Sequence, residues 1–291
     1  MTAAVLAEHG PASRRSAWWW VRPAAALGTL AFLVWHLGTA PFLDGLRTVD
    51  AAALAAASAL AVLTTVCCAW RWRIVSRGLG LDLPLGTAVA SYYRSLFLNV
   101  TLPGGVLGDV HRGINHGLRA VVWERAAGQV VQIVLTVGVL LVAPSPVHAA
   151  MPVVAVGLLL AAVVCGALVV RNRTWRVAGR AWPAIALASA VVVAGHTITF
   201  LIAARTAGAT APLSQLLPLA LLVLAAGALP NVGGWGPREG VTAWAFAAAG
   251  PGASIGVTTA VVYGVMVFVA CLPGAAVLLT AHLRHAGAAD V

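Results

Sequence analysis

The sequence predicts an all-α polytopic membrane protein, with about 6 full spans and two interrupted, re-entrant helical segments arranged as an inverted repeat. Three observations carry this. Of the 291 residues, 61% are hydrophobic and 9% charged, against roughly 25% charged in soluble domains, and a soluble exterior could not hide that much apolar surface. Apolar runs near the length of a bilayer crossing recur along the chain. The arginines cluster between those runs, as cytoplasmic loops of membrane proteins do.

The net charge is +10 and all 18 basic residues are arginine. Lysine chemistry such as a Schiff base is thereby excluded. Nucleic acid is not an expected partner, because the arginines sit at the ends of apolar runs and not on one solvated face. Cys67, Cys68, Cys165 and Cys271 lie in apolar segments without metal-ligand or disulfide spacing, and read as small packing residues. No metal or cofactor is expected.

A span needs about 20 mostly apolar residues. Six stretches qualify: 23–42, 51–70, 120–142, 151–170, 182–204 and 254–281. The first follows basic residues but no small-residue cleavage site, so it reads as a retained span and not a signal peptide. Residues 85–102 and 212–229 are apolar but short, and each runs into a Pro/Gly break; 241–250 is too short to cross. Arg71, Arg73 and Arg77, and then Arg171 to Arg180, mark loops on the inner side, with the N-terminus cytoplasmic. The charge pattern favours a second interrupted segment that dips in and returns to the outer side. The expected organisation is a cytoplasmic tail over 1–22, one transmembrane domain over 23–281 and a short tail over 282–291, in the cell (plasma) membrane.

The two breaks resemble each other. One reads Leu102-Pro103-Gly104-Gly105-Val106-Leu107-Gly108-Asp109-Val110-His111-Arg112, the other Leu229-Pro230-Asn231-Val232-Gly233-Gly234-Trp235-Gly236-Pro237-Arg238-Glu239. Each has Leu-Pro, a Gly pair, a third Gly, then a carboxylate and an arginine, and the spans before them are predicted to run in opposite directions. Such broken helices form sites in inverted-repeat transporters. Backbone freed by Gly and Pro must line a cavity or pack in protein, and free N–H groups suit an anion.

Charged residues in apolar segments are costly and commonly functional. That singles out Arg94, Asp109, Arg112, Glu124, Arg125, Arg238 and Glu239, with Asn99, Pro103, Gly104, Gly105, Gly108, Gly233 and Gly234 beside them, as a substrate-binding set. Guanidinium groups match phosphate oxygens in pairs. The plainer alternative is that Asp109–Arg112 and Arg238–Glu239 are structural ion pairs. His111 and His116 lack a third ligand nearby and read as loop histidines, while His36 and His196 read as packing residues within spans. No nucleophile–base constellation or nucleotide loop stands out, so no catalytic residue is assigned.

At Trp72-Arg73, Phe97-Leu98-Asn99-Val100-Thr101-Leu102-Pro103-Gly104-Gly105, Gly108-Asp109, Arg112, Glu124-Arg125 and Gly236-Pro237-Arg238-Glu239-Gly240, the chain resembles the transmembrane region of lysylphosphatidylglycerol synthases. The resemblance implies a flippase-like bacterial membrane protein that moves or binds an anionic or lipid-linked phosphate head group. Its partners would be a membrane phospholipid or lipid-linked substrate. The alternative is a non-catalytic accessory subunit of a lipid-modifying or glycosyltransferase system. Because the sequence stops at Val291, the expectation is a stand-alone member without the soluble synthase domain.

Overall fold

The computed structural model describes residues 27–102, 106–142, 180–227 and 235–289, together with the isolated helical positions Val156, Leu160, Val163 and Ala167. The described residues are helical nearly throughout, with short turns between. In chain order the helices are α1 Leu27–Leu37, α2 Ala40–Thr48, α3 Ala51–Gly78, α4 Leu85–Thr101, α5 Leu107–His116, α6 Leu118–Val142, α7 Trp182–Thr206, α8 Leu213–Ala226, α9 Pro237–Ala249, α10 Ala253–Cys271 and α11 Pro273–Ala289. The chain is a multi-pass membrane protein. Four helical stretches among the described residues are long and apolar enough to cross: Ala51–Gly78, Leu118–Val142, Trp182–Thr206 and Ala253–Ala281, the last joining α10 to the start of α11. Their large apolar side chains, such as Val62, Val134, Leu141 and Leu187, face outward, as hydrocarbon-facing surface does.

Two spans differ from expectation. The stretch 23–42 does not form one uninterrupted helix. Gly38 turns the chain at φ +76 and Pro41, without an N–H, sits in the first turn of α2. The stretch 51–70 extends to Gly78, so Arg71, Arg73 and Arg77 belong to a helix and not to a loop. Asp50 starts that helix by accepting the Ala53 N–H at 2.6 Å. The stretch 151–170 lies outside the described residues apart from the isolated helical positions within it.

Contacts along the helices fix their directions. Arg71 of α3 meets Ser189 of α7, Thr64 meets Gly195, and Ala53 and Ala57 join the cluster holding Phe200, Ala203 and Ala204. Rising numbers on α3 meet falling numbers on α7, so the two are antiparallel. Helix α4 folds back on α5, with Asn99 against Gly108, Ser95 against Asp109 and Ser91 against His116. Since α5 ends beside Trp72 of α3, the α4–α5 hairpin enters and leaves at one end of the bundle. Helix α10 begins at the opposite end, where α7 finishes: Tyr263 packs on Phe200, while Cys271 reaches the Cys68 and Arg71 level. Helices α8 and α9 are therefore a second hairpin, entered from the other side. Each half thus reads as a long helix, a re-entrant hairpin and a second long helix, in opposite orientations. That is an inverted repeat, joined along α3 and α7.

Candidate functional site

The first hairpin is locked by close approach. A Cβ on Gly108 would overlap the Ser95 carbonyl, so only glycine lets α5 lie on α4 here. Its N–H donates to Asn99 Oδ1 at 2.8 Å. Asp109 then accepts from Ser95 at 3.0 Å, Asn99 at 3.2 Å, Arg112 at 2.9 Å and Arg125 at 2.8 Å. Asp109 lies outside the four spanning helices. Burial opposes its ionisation, but the Arg125 and Arg112 guanidiniums outweigh that and hold its carboxyl below the usual carboxylate range.

Deeper in, Glu124 of α6 is fully buried. It accepts from Arg71 Nε at 3.0 Å and from Arg71 Nη2, from Arg112 Nη2 at 3.2 Å and from the Tyr92 hydroxyl at 3.3 Å. Arg71 also donates to Ser189 at 2.8 Å, which ties the first half of the protein to the second. Arg112 is 1% exposed and sandwiched, 4.5 Å from the Trp72 ring and 4.2 Å from the Tyr92 ring. Three guanidiniums and two carboxylates leave the cluster with one uncompensated positive charge. Arg112 Nε and Nη1 and Arg125 Nε are buried without a hydrogen-bond partner among the described residues.

Arg71, Tyr92 and Arg125 open onto a cavity of about 200 Å³ between α3, α4, α6, α7 and α10. One wall is polar. Arg125, Gln129 and Gln132 line it from one face of α6, with Thr64 and Thr65 of α3 and His196 and Thr199 of α7 facing the same space. Thr136 continues the α6 face one turn beyond the cavity. The α10 wall is apolar, made of Met266, Val267, Ala270 and Cys271. Gly128 leaves room for Arg71, since a Cβ there would lie 2.9 Å from its Nη1 and Nη2.

The second hairpin carries a smaller group. Glu239 is fully buried, accepts the Gly236 N–H at 2.6 Å at the start of α9, and pairs with Arg238 at 2.7 Å. Arg238 lies 5.0 Å from the Tyr263 ring and 5.8 Å from the Trp235 ring. A separate cavity of about 320 Å³ lies between Val100, Trp235, Arg238 and the Gly264–Phe268 stretch of α10.

Of the sequence-predicted residues, Asn99, Gly108, Asp109, Arg112, Glu124 and Arg125 come together in one network. Arg238 and Glu239 pair elsewhere, and both candidate ion pairs, Asp109–Arg112 and Arg238–Glu239, form. Arg94, half-buried on α4, has no ion pair among the described residues. Pro103, Gly104, Gly105, Gly233 and Gly234 lie outside the described residues. Sequence reasoning missed Arg71, Tyr92, Ser189 and the α6 stripe. The stripe was readable: Gln129, Gln132 and Thr136 follow Arg125 at i+4, i+7 and i+11, the spacing of one helix face. Among the described residues no His, Cys, Asp and Glu cluster suits a metal ion.

Residues 19–274 match the family described as the lysylphosphatidylglycerol synthase TM region. No curated protein and no solved structure matches the chain.

Proposed function

We propose, for a chain that belongs to the lysylphosphatidylglycerol synthase TM region family, that it carries the phosphate-bearing head group of an anionic or lipid-linked substrate between leaflets. Family membership makes it a membrane protein related to lipid modification or flipping; the transport step, the plasma membrane and a cytoplasmic N-terminus are our reading. The observation that carries it is a buried cluster with one surplus positive charge, opening onto a cavity with one polar and one apolar wall. Charge inside a membrane protein is expensive unless it is paired or used. Here the carboxylates hold the guanidiniums in place and the unpaired charge is left for a ligand anion.

In this reading Arg125, whose side chain is 40% exposed, meets the phosphate first. Asp109 orients it, and Arg71, held by Glu124, stands one layer deeper. The acyl chains stay in the lipid against the apolar exterior. No nucleotide-binding loop occurs in the sequence, so the chain itself supplies a path and not an ATP-driven stroke.

The test is a leaflet-resolved assay in proteoliposomes with a labelled anionic phospholipid. The parent should accelerate leaflet exchange, and Arg125→Gln should slow it by about tenfold or more, the effect of one charged hydrogen bond. Equal rates for both proteins would overturn the site. Failure of the purified parent to move any lipid, with a stoichiometric lipid-modifying enzyme co-purifying, would instead make it an accessory subunit.

A further inference from the structure

The lining of the central cavity also bears on which head groups fit. Both carboxylates beside it are fully engaged. Asp109 accepts from Ser95, Asn99, Arg112 and Arg125, and Glu124 from Arg71, Arg112 and Tyr92. Among the described residues no carboxylate lines the cavity itself. An ammonium group entering it would therefore meet guanidinium charge and no counter-ion, in surroundings where charge is poorly screened. The neutral polar lining is of a different kind. Gln129 and Gln132 offer amide donors and acceptors, while the Thr64 and Thr199 hydroxyls donate to the Ala61 and Gly195 carbonyls and present their oxygens as acceptors, so a hydroxyl group would find both partners here. Gln132 Nε2 is buried with no partner among the described residues, and the same holds for Thr136 Oγ1 one turn further along α6. From Arg125 to Thr136 this face extends about 16 Å at 1.5 Å per residue, so unmatched donors begin at the charged cluster and continue into the middle of the span.

We infer that this cavity selects phosphate esters bearing hydroxyl groups and no amine, with Arg125 taking the phosphate and Gln129 and Gln132 reading the hydroxyls, and that it rejects head groups carrying a primary ammonium. The inference rests on the transport reading for its site but not for its test, which is binding.

Detergent-solubilised full-length protein is titrated with phosphatidylglycerol, phosphatidylinositol, phosphatidylethanolamine and lysylphosphatidylglycerol, with thermal shift and native mass spectrometry as readouts. Free glycerol phosphate is the acyl-free control. Phosphatidylglycerol and phosphatidylinositol should bind at least about tenfold tighter than the two amine-bearing lipids. Binding by glycerol phosphate alone, at the affinity of the lipid, would support the same chemistry with a soluble ester as its source. Gln132→Leu should weaken the hydroxylated lipids several-fold, about the value of one neutral hydrogen bond. Gln132→Glu supplies the missing counter-ion, and should raise affinity for lysylphosphatidylglycerol by about tenfold while lowering it for phosphatidylglycerol. Parent protein that binds lysylphosphatidylglycerol as tightly as phosphatidylglycerol overturns the inference. So does a Gln132→Glu protein, folded by its melting profile, that leaves the preference unchanged. Either result leaves leaflet exchange of anionic lipid intact, so the two readings fail separately.

Discussion

Replacing Glu124 by glutamine keeps the shape of the side chain and removes the charge that holds two arginines. Glu124 is 0% exposed and accepts from Arg71, Arg112 and Tyr92. After the change three guanidiniums share one carboxylate, and the surplus charge rises from one to two. An amide can still accept from Arg71, but its own NH2 then points toward a second guanidinium. Breaking a buried pair from one side costs about 3–5 kcal/mol. Arg112→Met is milder, because Glu124 keeps Arg71 and Asp109 keeps Arg125. It loses the stacking between Trp72 and Tyr92, about 2 kcal/mol when desolvated. The double variant returns the surplus to one charge, so its loss should fall short of the sum of the singles by about 2 kcal/mol, within the range of direct contacts. Unfolding of the detergent-purified proteins measures all three. A Glu124→Gln protein within about 0.5 kcal/mol of the parent, or additivity of the pair within about 0.5 kcal/mol, would refute the network as the element holding this end of the bundle.

Gly108→Ala should lower the unfolding temperature and break the α4–α5 hairpin, because the new methyl overlaps the Ser95 carbonyl and backbone must move; the expected loss is about 1–3 kcal/mol. Gly128→Val pushes Arg71 from its place, so leaflet exchange should fall by about tenfold while the fold, followed by circular dichroism, is kept; the obstacle is the far end of a side chain and not backbone. Glu239→Gln should destabilise by about 3 kcal/mol, since its carboxylate serves both the Gly236 N–H and Arg238, without changing the head-group preference measured in the binding titration.

The helices and their order were legible because bilayer thickness and proline chemistry act locally. The expected 182–204 and 254–281 spans correspond to Trp182–Thr206 and Ala253–Ala281, and the first short segment to Leu85–Thr101. Clustered arginines are read as the marks of inner loops. The same rule hid Arg71. It stands in Arg71-Trp72-Arg73, which reads as a loop signature, yet the helix runs on for two more turns and turns Arg71 inward to Glu124, 53 positions away. Arg112 and Asp109 were visible as neighbours, but Arg112's second partner on α6 and its two flanking rings were not. Those contacts depend on how the hairpin docks, and no local spacing encodes that. The split at Gly38 was missed for a related reason: one glycine in an apolar run is common, and its positive φ, with Pro41 just beyond it, separates α1 from α2.

The backbone repeats, but the chemistry does not. Both halves supply a long helix, a hairpin and a second long helix, yet the first holds three arginines against two carboxylates and the second a single matched pair among the described residues. The closing helices diverge in the same way. Helix α6 turns Arg125, Gln129 and Gln132 to the central cavity, whereas α10 turns Met266, Val267, Ala270 and Cys271 to it. A symmetric repeat with matched walls would enclose either a wet channel or a dry core. Divergence on one side alone encloses a space that is polar along α6 and apolar along α10, and a molecule seated there is best accommodated when it is itself two-faced. In the function proposed above, a phosphate ester would meet that requirement: its head group would gain charged and neutral hydrogen bonds along α6 and its glyceryl carbons would face α10, with the acyl chains left in the lipid. The inverted repeat thus provides the cavity, and the loss of chemical symmetry between its halves gives that cavity one polar and one apolar wall.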